Sequence, residues 1–178
     1  MTNPVLTPAT ERPAGLQRVA DALAAAGHPH APVMLSDAAR TAQQAADALS
    51  VALGQIAKSI IFRRKNHPSG DDAAVLVITS GDLRVDEKKV QAIVCAEGGK
   101  LGRADAEFVK AKTGFSIGGV SPLAHTTEPV TLIDRELFRF ATIWAAAGHP
   151  NGVFRLTPAE LQALTGAPVH DVTESPPA

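Results

Sequence analysis

The stretch Thr113-Gly114-Phe115-Ser116-Ile117-Gly118-Gly119-Val120-Ser121-Pro122 interrupts every regular pattern around it. Its glycines and Ser-Pro pair suit neither a helix nor a central strand. Each glycine costs conformational entropy unless the backbone needs a positive φ or a close approach. Pro122 also drives Ser121 towards extended geometry. The pattern predicts a tight loop that presents backbone N–H groups and a hydroxyl to a confined space. Such a loop suits a carboxylate, a phosphate or a developing oxyanion; an ordinary glycine-rich turn has the same composition.

The flanks of this loop alternate between helical and extended patterns. Asp105 caps a helix that carries Phe108 and Val109 and stops at Gly114. Residues 130–133 and 140–146 read as strands, and Asn151-Gly152 as a turn. Thr157-Pro158-Ala159-Glu160 opens a last helix with a capping box and proline in its first turn. Upstream, residues 86–97 form a helix with Val90, Ile93 and Val94 inward, ended by Gly98-Gly99. The apolar run 73–79 has strand length and is bounded by Ser80-Gly81-Asp82. Residues 56–64 read as the first long strand, and 65–72 as a surface turn. In that strand Lys58, Ile60 and Phe62 share one face. Lys58 either snorkels to water at the sheet margin or enters a pocket. A first helix over 13–26 places Leu16, Val19, Ala20 and Leu23 on one face and stops at Gly27. Residues 32–35 are extended, and Thr41 with Gln44 caps a second helix through Leu49. Strict βαβ alternation is absent, so the fold class is a mixed-sheet α/β or α+β single domain over 13–172, with flexible termini at 1–12 and 173–178.

Composition narrows the chemistry. Aromatic residues are few and tyrosine is absent, so the core is aliphatic. A formal charge of −1 gives no global pull towards nucleic acid. A single cysteine, Cys95, excludes an internal disulfide and fits a reducing compartment, with the thiol expected to be buried and inert. The N-terminal residues lack the pattern of a signal peptide and no apolar run approaches a membrane span, so the expected location is cytoplasmic. The six histidines show no metal-ligand spacing, and no metal or cofactor is expected. Gly98-Gly99-Lys100-Leu101 is not a P-loop, and no Gly-x-Ser-x-Gly elbow exists. Basic residues cluster at Arg63-Arg64-Lys65, Lys88-Lys89, Lys100 with Arg103, and Lys110 with Lys112. Each cluster alone reads as a solvated face; several converging near the glycine loop would suit a phosphate backbone. The string Ala-Ala-Ala-Gly-His-Pro occurs at 24–29 and 145–150, a coincidence in so alanine-rich a chain.

Taken in order, these segments resemble the YbaK/ProX family, relatives of the editing domain inserted in bacterial prolyl-tRNA synthetases. The resemblance runs from about Leu16 to Val172. It is carried by the strand 56–62 with Lys58, by Ser80-Gly81-Asp82-Leu83-Arg84-Val85-Asp86 with Lys88-Lys89, and by residues 102–109. Thr113-Gly114-Phe115 with Gly118-Gly119-Val120-Ser121-Pro122, Leu132-Ile133-Asp134 and Ala147-Gly148-His149 complete it. The resemblance implies a mixed, curved sheet flanked by helices and a trans-editing deacylase. Its substrate would be mischarged aminoacyl-tRNA, with Ala or Cys on tRNA for proline as the expected ester and prolyl-tRNA synthetase as a second partner. It further implies catalytic roles for Lys58, Gly118, Gly119 and Ser121, and substrate contacts at Ile60, Phe62, Pro122, Asp134 and His149. Leu123-Ala124-His125 after the Ser-Pro departs from the lysine or glycine that proline-type members often carry there, which leaves the amino acid and tRNA open. The alternatives are a non-catalytic tRNA- or synthetase-binding module of the same fold, and a general small-ester hydrolase.

Overall fold

The computed structural model describes residues 12–36, 41–70 and 72–175. In chain order the elements are α1 (Ala14–Ala25), β1 (Val33–Met34), α2 (Ala42–Leu49), β2 (Ile56–Lys65), β3 (Ala73–Ser80) and α3 (Glu87–Val94). Then follow β4 (Lys100–Arg103), α4 (Ala106–Thr113), β5 (Val130–Asp134), β6 (Ile143–Ala146), β7 (Gly152–Leu156), α5 (Pro158–Thr165) and β8 (Val169–His170). Short 3-10 turns cover Leu53–Gln55 and Arg135–Arg139.

Local chemistry explains most of the boundaries. Thr41 with Gln44, and Thr157 with Glu160, each form a reciprocal capping box at the start of α2 and α5. Asp86 and Asp105 accept backbone N–H bonds at the starts of α3 and α4. α1 ends at Ala25, and Gly27 beyond it takes a positive φ.

The eight strands form one mixed sheet in the order β1-β7-β6-β2-β3-β5-β8, with β4 joined to β2. β3 alternates: Leu76 and Ile78 face one layer, Val75 and Val77 the other. On the first side α1, α4 and α5 bury Leu16, Val19, Leu23, Val109 and Leu161. On the second, α3 lays Val90 and Val94 against Phe62 and Leu132. A smaller cluster joins Ala45 and Ala46 of α2 to Leu35, Ile56 and Val153. The fold is therefore the expected mixed α/β class, with helices on the sheet faces.

Several elements differ from the sequence reading. The strand expected over 140–146 begins only at Ile143, because Asp134 caps the 3-10 turn before it by accepting the Glu136 N–H at 3.1 Å. Strands β4, β7 and β8 have no counterpart in the sequence pattern. The chain also stays packed beyond 172: Thr173 is buried and bridges Val85, and the Glu174 N–H donates to Arg84 O. The rest of the termini expected to be flexible, residues 1–11 and 176–178, lies outside the described residues, as does Asp71 of the 65–72 turn. Cys95 is half-buried; burial pushes its thiol pKa up, opposed by the Arg64 charge. The two copies of Ala-Ala-Ala-Gly-His-Pro take different structures, one ending α1 and the other leaving β6 into a turn.

At that turn the backbone of Gly148 packs directly on Gly15 of α1. Gly148 has φ +83°, and an added Cβ would overlap Gly15 O and come within 2.9 Å of the Phe115 ring. Gly148→Ala is expected to destabilise the fold by about 1–3 kcal/mol, since both the positive φ and the backbone contact oppose a side chain. The shift in urea midpoint at unchanged slope measures it.

Candidate functional site

β2 pairs along most of its length with β3 on one edge, from Ala57 to Arg64. Its other edge is divided. β6 runs parallel to it at Ile56 and Ala57, and β4 antiparallel to it from Phe62 to Lys65. Between them, residues 58–61 have no strand beside them on that edge among the described residues. By strand alternation, two of these four residues turn an N–H and a C=O into the gap. Such an edge is a template for hydrogen bonding, and it is sheltered here.

The gap opens into a cleft of about 300 Å³. β2 contributes Lys58, Ser59 and Ile60, and the glycine loop contributes Ile117, Gly118 and Val120. Trp144, Val153 and Ala45 close the apolar side from β6, β7 and α2. Lys58 is half-buried, and its Nζ donates to Leu83 O at 2.9 Å. An ammonium has three donors, so two remain for a ligand. Burial lowers the Lys58 pKa, the charge of Asp82 acts to raise it, and that of Arg84 to lower it. The Oγ of Ser59 is buried without a partner among the described residues.

The segment that receives Lys58 is itself held. Arg139 donates from Nη2 to Asp82 Oδ1 and to Ser80 Oγ, each at 2.9 Å, and Ser80 Oγ donates to Gly54 O. Burial acts to raise the Asp82 carboxyl, but the hydrogen bond from Arg139, the nearby Ser80 hydroxyl and the Arg139 charge outweigh it, so its pKa falls. Asp82 thus stays anionic beside the lysine. Nothing in the sequence marked Arg139, because its partners lie 57 and 59 positions away.

The loop is a four-residue turn in which the Gly119 N–H donates to Ser116 O at 3.0 Å. Gly118 occupies its third position with φ +92°, as a type II turn requires of a glycine. Ile117 at the tip is 59% exposed beside the cleft. The turn consumes the Gly119 N–H, whereas that of Gly118 has no partner among the described residues. Gly119 must be glycine for another reason: a Cβ would lie 2.9 Å from the His149 backbone.

Both ends of the loop are clamped. Arg18 Nη2 donates to Thr113 O at 2.8 Å, and its guanidinium lies 4.3 Å from the centre of the buried Phe115 ring. His125 stacks edge-on against the same ring, and its Nε2 donates to Ser121 O at 2.6 Å. In the neutral ring that bond leaves Nδ1 as the unprotonated nitrogen, buried without a partner among the described residues. Burial lowers the His125 pKa, with the Ser121 carbonyl acting to raise it and Arg18 to lower it.

The residues singled out by the sequence are thus distributed over several places. Lys58, Ile60 and Gly118 meet in the cleft. Gly119 and His149 line a second cavity of about 290 Å³ on the other side of the loop. There His149 Nδ1 accepts the Asn151 N–H at 3.1 Å, which places the neutral ring's proton on Nε2. His149 presents a donor in this arrangement, not a lone pair. Ser121 is fully buried, its Oγ accepting the Leu123 N–H at 3.3 Å. Pro122 lines a hollow further along with Leu123 and His125. Phe62 belongs to the core beneath α3. Asp134 is fully buried; it accepts the Glu136 N–H as a cap, and its bonds from Val172 and Thr173 tie β5 to the C-terminal residues. Trp144, Ile117 and Ala45 escaped the sequence reading as cleft residues. The single tryptophan and the loop's own apolar tip were the available signals.

Comparison with known proteins agrees with this architecture. Residues 36–164 match the aminoacyl-tRNA editing domain. The chain is 34% identical over 125 residues to the uncharacterized protein YwhH of Bacillus subtilis (strain 168), covering 70% of this chain and 74% of that one. A solved structure provisionally described as a trans-editing enzyme for prolyl tRNA synthetase superposes with a TM-score of 0.83 at 39% identity. That match covers 93% of this chain and all of the other. The hypothetical protein APE2540 superposes with a TM-score of 0.77 at 28% identity, over 88% and 99% of the two chains. Both the sequence match and the shared fold therefore place this chain in the aminoacyl-tRNA editing domain family.

Proposed function

We propose that the chain is a trans-editing deacylase that hydrolyses the ester of a mischarged aminoacyl-tRNA, with a small amino acid such as alanine or cysteine on tRNA for proline. The observation that carries this reading is the meeting in one small cleft of Lys58, Gly118 and the stretch of β2 that has no strand on that edge among the described residues. Its volume stands at the low end of the range for small-ligand sites, roughly 300–1,000 Å³, and its walls are largely apolar. An aminoacyl group fits such a space, and a bulky side chain meets Trp144.

In the proposed reaction water attacks the ester carbonyl, the acyl carbon–oxygen bond breaks, and the terminal ribose oxygen leaves with a proton. Lys58 and the Gly118 N–H stabilise the negative charge that develops on the carbonyl oxygen. A single donor of this kind is worth about 10²–10³ in rate. Ser59 Oγ and the free strand edge hold the amino acid. No Asp, Glu, His or Cys lines the cleft among the described residues. The proton from water is therefore assigned to the substrate's own amine or ribose hydroxyl. The ester is already activated, so positioning and charge stabilisation suffice. We place the protein in the cytoplasm with its substrate; none of its described helices is long and apolar enough to cross a membrane.

The test is a deacylation panel of tRNA charged with Ala, Cys, Ser, Thr or Pro. Wild type should hydrolyse one or two, and Lys58→Ala should lose at least about 100-fold in kcat/KM while staying folded. A blank panel with retained tRNA binding would favour a non-catalytic binding module. The pH profile gives a second check. Activity that needs cationic Lys58 is lost as pH rises through its folded pKa, which lies below the ordinary lysine value of 10.5. Asp82→Asn removes the charge that holds this pKa up, so the alkaline limb should move to lower pH. An unchanged limb would exclude Lys58 as the titrating group.

A further inference from the structure

We propose that the second cavity holds the phosphate of the substrate's terminal nucleotide, an inference that rests on the deacylase reading of the cleft. The cavity is lined by Arg18, Lys110, His149 and Ser116, and no Asp or Glu lines it among the described residues. It meets the cleft at the glycine loop: Gly118 faces one space, Gly119 the other, and Pro150 lines both. Consecutive Cα atoms are about 3.8 Å apart, so the two spaces are neighbours on the scale of one sugar ring. An ester carried on the ribose and the phosphate on the far side of the same ribose can occupy them together.

The cations keep unsatisfied capacity. Arg18 donates from Nη2 to Thr113 O, and its Nε is buried without a protein acceptor among the described residues. Lys110 is exposed and donates to Gly114 O at 3.0 Å. These bonds cap the end of α4, which accounts for one donor on each side chain out of five and three. His149, by the tautomer its Asn151 contact sets, adds an Nε2–H donor. Ala14 and Gly15 bring the first turn of α1 to the same wall, and that turn carries neither a side-chain cap nor an acidic residue. The other basic grouping, where β2 meets β4, is less suited: Lys65 and Arg103 share their hollow with Glu87 and Asp105.

The test measures competition by adenosine, adenosine 5′-monophosphate and inorganic phosphate against binding of uncharged tRNA. Wild type should bind the monophosphate about tenfold more tightly than the nucleoside, as a charge-assisted contact provides. In Lys110→Glu that preference should fall towards one, and Lys110→Arg should restore it. The slope of log affinity for tRNA against log salt should also fall by roughly 0.7 in Lys110→Ala, the loss of one single-strand phosphate contact. Far-UV circular dichroism and thermal melting establish that the variants are folded. Absence of any preference for the monophosphate at millimolar concentration would overturn the proposal. So would its persistence in folded Lys110→Glu, or competition by inorganic phosphate equal to that of the monophosphate. A Lys110-dependent preference in a protein that hydrolyses no ester would leave the phosphate site standing and remove the deacylase reading. Ester hydrolysis with no role for Lys110 would do the reverse.

Discussion

The division of one edge of β2 between two partners is the constraint on which the site depends. A ten-residue strand that was paired throughout on both edges would offer only side chains to a ligand. Because β6 ends its pairing at Ala57 and β4 begins at Phe62, main-chain groups of the intervening residues stay open in the middle of a sheet. Unpaired backbone of this kind is costly when buried and hazardous when exposed. The glycine loop resolves the conflict by leaning over the gap, so that the edge is sheltered yet reachable. The loop in turn depends on its anchors, Arg18 and Phe115 at one end and His125 at the other.

The same division orders the electrostatics. Lys58 lies at the start of the gap, and its ammonium reaches away from the strand to Leu83 O. That carbonyl belongs to the segment immobilised by Arg139, Asp82 and Ser80, so the cation is fixed by partners drawn from two separate parts of the chain. Its environment pulls in two directions. Burial disfavours the charge, and the anionic Asp82 favours it. The result is a cation with donors left over, close to apolar walls, where its field is stronger than in water.

Local chemistry made much of this legible in the sequence. The two capping boxes, the glycine after α1, and the strands β2 and β3 follow from short-range rules that operate within a few residues. β4 shows why the remainder was hidden. Lys100-Leu101-Gly102-Arg103 has no convincing alternation, and it is a strand only because β2 lies alongside. β8 is two residues long and owes its existence to β5. The glycine motif was readable as a loop, but not the partition of its two adjacent glycines between separate cavities, which follows from one i to i+3 hydrogen bond. Asp134 shows a different mismatch of scale. A family resemblance places it near the pocket, whereas two of its three hydrogen bonds join β5 to the C-terminal residues and the third caps the 3-10 turn that follows. Arg139 and Arg18 act through partners that only the folded chain brings near.

The arrangement also bears on how a site without a visible base can be selective. A pocket gains only about 1–3 kcal/mol from one methylene, so discrimination against larger side chains is better achieved by walls that cannot yield. The apolar side of the cleft comes from β6, β7 and α2, and the small core behind it packs Ala45, Ala46, Ile56 and Val153 together. Admitting a bulkier group there means separating a helix from a sheet. The charge-stabilising side is different in kind, since the Gly118 N–H comes from a loop and Lys58 from the end of a flexible side chain. On the proposed reading, exclusion is assigned to regular structure and catalysis to the loop beside it. A change in Trp144 or Ala45 then alters which ester enters, while the loop and Lys58 act on whatever ester arrives.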